Sequence, residues 1–178
     1  MITGTQIQTY TGIGFDPINP DPELIKIEDI AHALSNQCRF SGHARSFYSV
    51  AQHSAHCAEI ACLASNAPLA RAMLLHDASE AYLLDMPRPL KKAFPQYAEI
   101  EDRLMRAIAD KFKFDWPMTP AMKEIDDRVL FTEKKHLLKD RDWGYQIKPY
   151  DMVVDPWVPH QAEFIFMVKF GFLFPEFK

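Results

Sequence analysis

MLLHDASEAYLLDMPRP, residues 73–89, sets His76 beside Asp77 in an apolar run, adds Glu80 and Asp85, and closes on two prolines. The apolar spacing predicts a helix from Pro68 through His76 to about Leu84, ended by the prolines at 87 and 89. Three carboxylates and an imidazole within ten residues are costly on a buried face unless something offsets the charge. A metal ion is the expected partner. On a helix His76 and Asp77 point about 100° apart, so they converge only on an ion lying off the surface between them. Two donors leave such an ion undercoordinated, and the helices on either side supply the rest.

Upstream, SVAQHSAHCAEIACLAS (49–65) reads as an amphipathic helix with Ser49 as its N-cap and His53 in its middle. Downstream, Met118 to Lys139 reads as a long helix with Asp126 near its start. His53, His76, Asp77 and Asp126 together offer two imidazoles and two carboxylates. That mixed set suits Mn, Fe, Co, Ni or Zn better than Ca or Mg, which favour all-oxygen shells. His56 and Cys57, with Cys38 and His43, suggest a second, zinc-type cluster. That spacing arises easily on a helix, and Cys57 reads better as a small buried hydrophobe.

The remaining chain predicts helices over 27–37, 100–112 and 160–170, the last apolar on nearly every side and so expected in the core or in a subunit seam. Residues 10–25, rich in Pro, Gly and Asp, read as an irregular or hairpin lead-in, and residues 38–48 as a loop. The expected architecture is all-α: one helical bundle over residues 1–178.

Composition bounds the function. The chain has 178 residues, 48% apolar and 25% charged, which suits one soluble domain. A net charge of −4 and a pI near 6.0 argue against a nucleic-acid polymer as partner. Three cysteines without CxxC spacing fit a reducing compartment. The first residues lack the basic and apolar regions of a secretory signal, and Ala162 to Phe174 is too short and charged to span a bilayer. A cytoplasmic protein with no membrane contact is the expectation.

The order H … HD … D, here in YSVAQHS, LLHDASEAYLLDMPRPLK and EIDDRVLFTE, resembles the HD-domain phosphohydrolases. The wording, over roughly residues 27–135, is similar to the bacterial 5′-deoxynucleotidases and to small phage enzymes that hydrolyse dATP. The resemblance implies that His53, His76, Asp77 and Asp126 hold a divalent metal, Asp126 rather than Asp127 because it stands two residues before an Arg. Glu80 would orient or deprotonate the attacking water and Asp85 would protonate the leaving ribose oxygen or hold the water's partner, with either of the two open as the base. Arg39 would clamp a phosphate, Phe40 and Pro89 would lie near base or sugar, and Lys91, with Lys92, would steer substrate at the rim. Arg45 and Arg88 read as solvated surface charges.

The implied activity is metal-dependent hydrolysis of deoxynucleotides, with a dNMP giving deoxynucleoside and phosphate. A triphosphohydrolase acting on dNTPs uses the same machinery. A catalytically silent nucleotide sensor and a messenger hydrolase are the other readings. The apolar last helix suggests a homodimer or higher homo-oligomer.

Overall fold

Ser49 opens the central helix of the fold: its side chain accepts from Gln52 N, capping α2, Val50–Leu63. Small residues (Ala51, Ser54, Ala55, Cys57, Ala58 and Ala61) let other helices close on α2 from several sides, and all six are buried. A computed structural model describes residues 4–177.

Around α2 lie α1 (Ile27–Asn36), α3 (Ala67–Leu75) and α7 (Pro120–Leu137), with α8 (Pro159–Leu173) across α1, α2 and α3. Two short helices, α4 (Glu80–Leu83) and α5 (Arg88–Lys91), connect α3 to α6 (Pro95–Phe112). The fold is all-α apart from one hairpin, in which β1 (Ile7–Gln8) pairs antiparallel with β2 (Gly14–Phe15). Gly12, at φ +86°, makes the turn, and Asp29 of α1 accepts from Thr11 N and Oγ1. Phe15 is thereby delivered into the core against Tyr82.

Asn66 and Thr119 cap α3 and α7, each followed by a proline in the first turn. The loop expected over 38–48 contains a 3₁₀ turn, Arg39–Gly42, in which Phe40 and Ser41 both take positive φ. The irregular segment between α7 and α8 is tied to α2 by Gln52, which donates to Asp155 O and accepts from Trp157 N.

Two expectations need correction. The single helix expected from Pro68 to Leu84 is broken after Leu75. The amides of Ala78, Glu80, Ala81 and Tyr82 bond to the carbonyl three residues back rather than four, so the chain tightens here. The prolines do not stop it: α4 ends at Leu83, with Leu84 at φ +72° turning the chain, and the prolines begin α5. The last helix is not uniformly buried. Ala162, Phe166, Phe170 and Leu173 enter the core, whereas Phe164, Val168 and Phe172 face outward.

Candidate metal centre

The tightened turn decides where the acids point. With about three residues per turn, positions three apart eclipse, so Glu80 stands over Asp77 rather than a quarter-turn away. His76 turns its Nδ1 back onto Met73 O at 2.8 Å, and because a carbonyl only accepts, Nδ1 carries the proton. His53, on α2, places Nδ1 2.7 Å from Glu133 Oε1. Glu133 is fully buried and also accepts from Tyr48 Oη at 2.9 Å and Arg39 Nε at 3.2 Å. Burial works against its charge, but Arg39 and His53 hold its pKa down at about 2, so it accepts the Nδ1 proton of His53. Both imidazoles thus turn Nε2, the nitrogen without a fixed partner, toward the same point.

The two Nε2 atoms lie 3.3 Å apart. Asp126 Oδ1 is 3.3 Å from His53 Nε2 and 4.0 Å from His76 Nε2. Asp77 Oδ2 is 3.3 Å from His76 Nε2 and 3.6 Å from His53 Nε2. Donors bound at ~2.1 Å to one first-row metal stand about 3.0 Å apart at right angles and about 4.2 Å apart on opposite sides. All five separations fall within that range. Burial and the Arg39 guanidinium oppose positive charge on His53, yet Glu133 and Asp126 outweigh them and raise its pKa well above normal, so without a metal Nε2 also holds a proton that a bound cation would displace. A field that draws a proton here draws a cation equally.

Cys57, read from the sequence as packing only, lines this centre: its Sγ is 3.6 Å from His53 Nε2. The ligand atoms of His53, Cys57 and His76 lie within 4.8 Å of one another, a buried group that can hold a metal ion. Burial pushes the Cys57 thiol up to about 11, which leaves it protonated beside the better donors.

Both acids of the helix reach the same pocket. Glu80 is buried, its Oε2 has no hydrogen-bond partner, and its Oε1 is 3.4 Å from Lys91 Nζ. Burial first, then the charges of Asp77 and Asp85, lift its pKa well above the carboxylate range. Asp85 is half-buried, and burial raises its pKa against the pull of Arg39. Gln37, which follows α1, straps the two acids together by donating to Glu80 O at 2.8 Å and accepting from Asp85 N at 3.2 Å.

The substrate-side expectations fare differently. Arg39 is buried and directed inward, to Glu133 and, through Nη1, to Asp77 Oδ2 at 3.6 Å. Phe40 packs against the cluster of Tyr48, Leu137 and Val154, with Arg39 5.6 Å from its ring centre. Pro89 is exposed on α5, and Lys91 Nζ is held 2.6 Å from Glu101 Oε1. Arg88 is not merely solvated. It bonds Asp126 Oδ2 at 2.5 Å and Asp127 Oδ1 at 2.6 Å, so Asp126 has one oxygen on the histidines and one on Arg88. Asp127 turns away, toward Lys123.

Glu133, Tyr48 and Gln37 went unnoticed in the sequence reading. The signal for Glu133 is its place seven residues after Asp126, two turns along the same face of α7. Nothing comparable marks Tyr48 or Gln37, whose roles depend on chain packing.

Two curated proteins are similar to this chain. The uncharacterized protein YfdR of Escherichia coli K12 is 41% identical over 133 residues, 74% of this chain and 71% of that protein. The uncharacterized protein RCAP_rcc00048 of Rhodobacter capsulatus is 40% identical over 108 residues, 57% of this chain and 55% of that protein. No protein-family model matches the chain. The chain belongs to the family of Escherichia coli YfdR.

Proposed function

We propose that this member of the YfdR family is a divalent-metal-dependent phosphohydrolase of the HD type, acting on deoxynucleoside monophosphates. One observation carries the reading. Two histidines with both Nδ1 protons committed elsewhere turn Nε2 toward two carboxylates, with one buried glutamate oxygen, Glu80 Oε2, left without a partner alongside. A purely structural cluster gains nothing by leaving Glu80 Oε2 unsatisfied in the same pocket.

His53, His76, Asp77 and Asp126 would hold the metal, with Cys57 behind them. When bound, the ion supplies Lewis acidity toward a phosphoryl oxygen and lowers the pKa of water. Glu80, whose Oε2 has no hydrogen-bond partner, would orient the attacking water and take its proton once a bound cation draws its raised pKa back down. Asp85, half-buried with a raised pKa, delivers a proton to the departing ribose 5′ oxygen. Arg88 and Lys91 meet the phosphoryl charge at the mouth, while Arg39 balances Asp77 and Glu133 from below. The deoxynucleotide class rests on the resemblance of the wording around the motif to the 5′-deoxynucleotidases.

The test is turnover of the four dNMPs and the four dNTPs with Mn, Co, Zn and Mg supplied separately. Phosphate released from monophosphates is the expected result. Triphosphate released from a dNTP alone would overturn the monophosphate assignment, and silence with every pair would overturn the enzyme reading.

A further inference from the structure

On the opposite face of α7 lies a second feature that the metal centre does not use. Phe131 and Lys135 project about 160° around the helix from Glu133, so what they line is separated from the histidines by the body of α7. They border a cavity of about 430 Å³ together with Arg45, Lys134, Asp140 and Pro149. That volume lies in the range of small-molecule sites, about 300–1,000 Å³.

Its wall is basic although the chain carries a net charge of −4. The cations around the metal centre, Arg39, Arg88 and Lys91, pair with carboxylates. Among the described residues, Arg45, Lys134 and Lys135 form no such pair, and Asp140 is the one acid on the wall. Basic residues in the last turn of a helix favour its dipole, which accounts for Lys134 and Lys135 in part. It does not account for Arg45, which comes from the loop before α2 and is pinned there by its own N–H to Leu137 O at 2.9 Å.

Phe131 adds one ring to the wall, and Trp143 packs edge-on against it. Lys134 Nζ lies 5.3 Å from the ring centre of Trp143 and 6.0 Å from that of Phe131. The rings fix the ammonium in place and leave its three N–H donors for an anion. The far wall is held as firmly, because Arg128 donates to Lys148 O and Tyr150 N donates to Thr132 Oγ1 on either side of Pro149.

We propose that this cavity is a second binding site, for the phosphate chain of a small phosphorylated ligand of the nucleotide type. Three cations lining one cavity match adjacent phosphate charges, and Phe131, the one aromatic among the lining residues, offers an edge or face to a flat ring. The site is independent of the reaction proposed above, because it shares no side chain with the metal centre.

The test is calorimetric titration of the full chain with inorganic triphosphate and, separately, with dATP. Both are expected to bind saturably, more weakly as salt is raised. Lys134→Ala/Lys135→Ala and Arg45→Ala should each weaken binding roughly tenfold or more. Asp126→Asn should leave one saturable site intact. Equal affinities for the two probes would identify the phosphate chain alone as the ligand, and tighter dATP binding would bring in Phe131. No saturable binding would overturn the proposal. So would less than a twofold change in both cation variants, or loss of all binding in Asp126→Asn, which would place the anion at the metal centre.

Discussion

Glu133 illustrates how one side chain organises the centre without facing it. It takes the Nδ1 proton of His53, the hydroxyl proton of Tyr48 and an N–H of Arg39, and so fixes which nitrogen of His53 remains free. Glu133→Gln should weaken metal binding about 10- to 100-fold, the usual effect of losing such a partner, and a metal titration checks it. Unchanged affinity would show that His53 needs no such orientation. Glu80→Gln should retain the metal and lose about 100-fold or more in turnover, since an amide cannot take the water's proton. Full turnover in that variant would remove Glu80 from the reaction. At this scale the sequence showed the groups that need chemical explanation: His53, His76, Asp77, Glu80, Asp85 and Asp126. Their supports were not legible, because Gln37 and Tyr48 are unexceptional until packing brings them to the site.

The element that matters most is the stretch from α3 to α5. Its apolar spacing foretold a continuous helix, and the spacing is indeed helical up to Leu75. What it could not reveal is that His76 bonds back to Met73 O and that the following amides shift to the carbonyl three residues back. That shift is a competition between hydrogen-bond patterns of similar energy, and it is settled by packing. The Ser49 cap of α2 was legible because capping is local. Gln37 links the elements by holding the carbonyl of Glu80 and the amide of Asp85 at either end of the turn through Leu84. Gln37→Ala should therefore keep the metal content unchanged and lower kcat roughly 10- to 100-fold through misplaced acids. Phosphate release measured beside metal content checks this, and an unaltered kcat would show that the acids are held by other means.

Across the whole molecule, burial makes stability depend on pH in a way that one histidine reports. Tyr48 gives its own proton to Glu133, so His56 Nδ1 must donate to Tyr48 Oη, across 3.0 Å, as a neutral ring. Burial lowers the pKa of His56 from 6.5 to about 4. A lowered histidine pKa adds stability above the unfolded value, and that contribution is lost as the pH falls from 6.5 toward 4. The amount is on the order of 3 kcal/mol. In denaturant melts with chelator present, the wild type should lose stability over that window relative to His56→Gln. Parallel curves would contradict it. Among the described residues no helix is long and apolar enough to cross a membrane. The all-α bundle was legible as a whole because helical spacing of apolar residues marks α1, α2, α3, α6 and α7. The outward face of α8 was not, because apolar residues on all sides conceal which stripe is buried.

The most direct test of the metal centre is elemental analysis of the chain after incubation with Mn, Co, Zn, Fe or Ni and removal of the excess, for the wild type and for Asp126→Ala. One divalent ion retained per wild-type chain, lost in the variant together with phosphate release, is the predicted result. A folded wild type that retains none of the five ions would contradict the account at its centre.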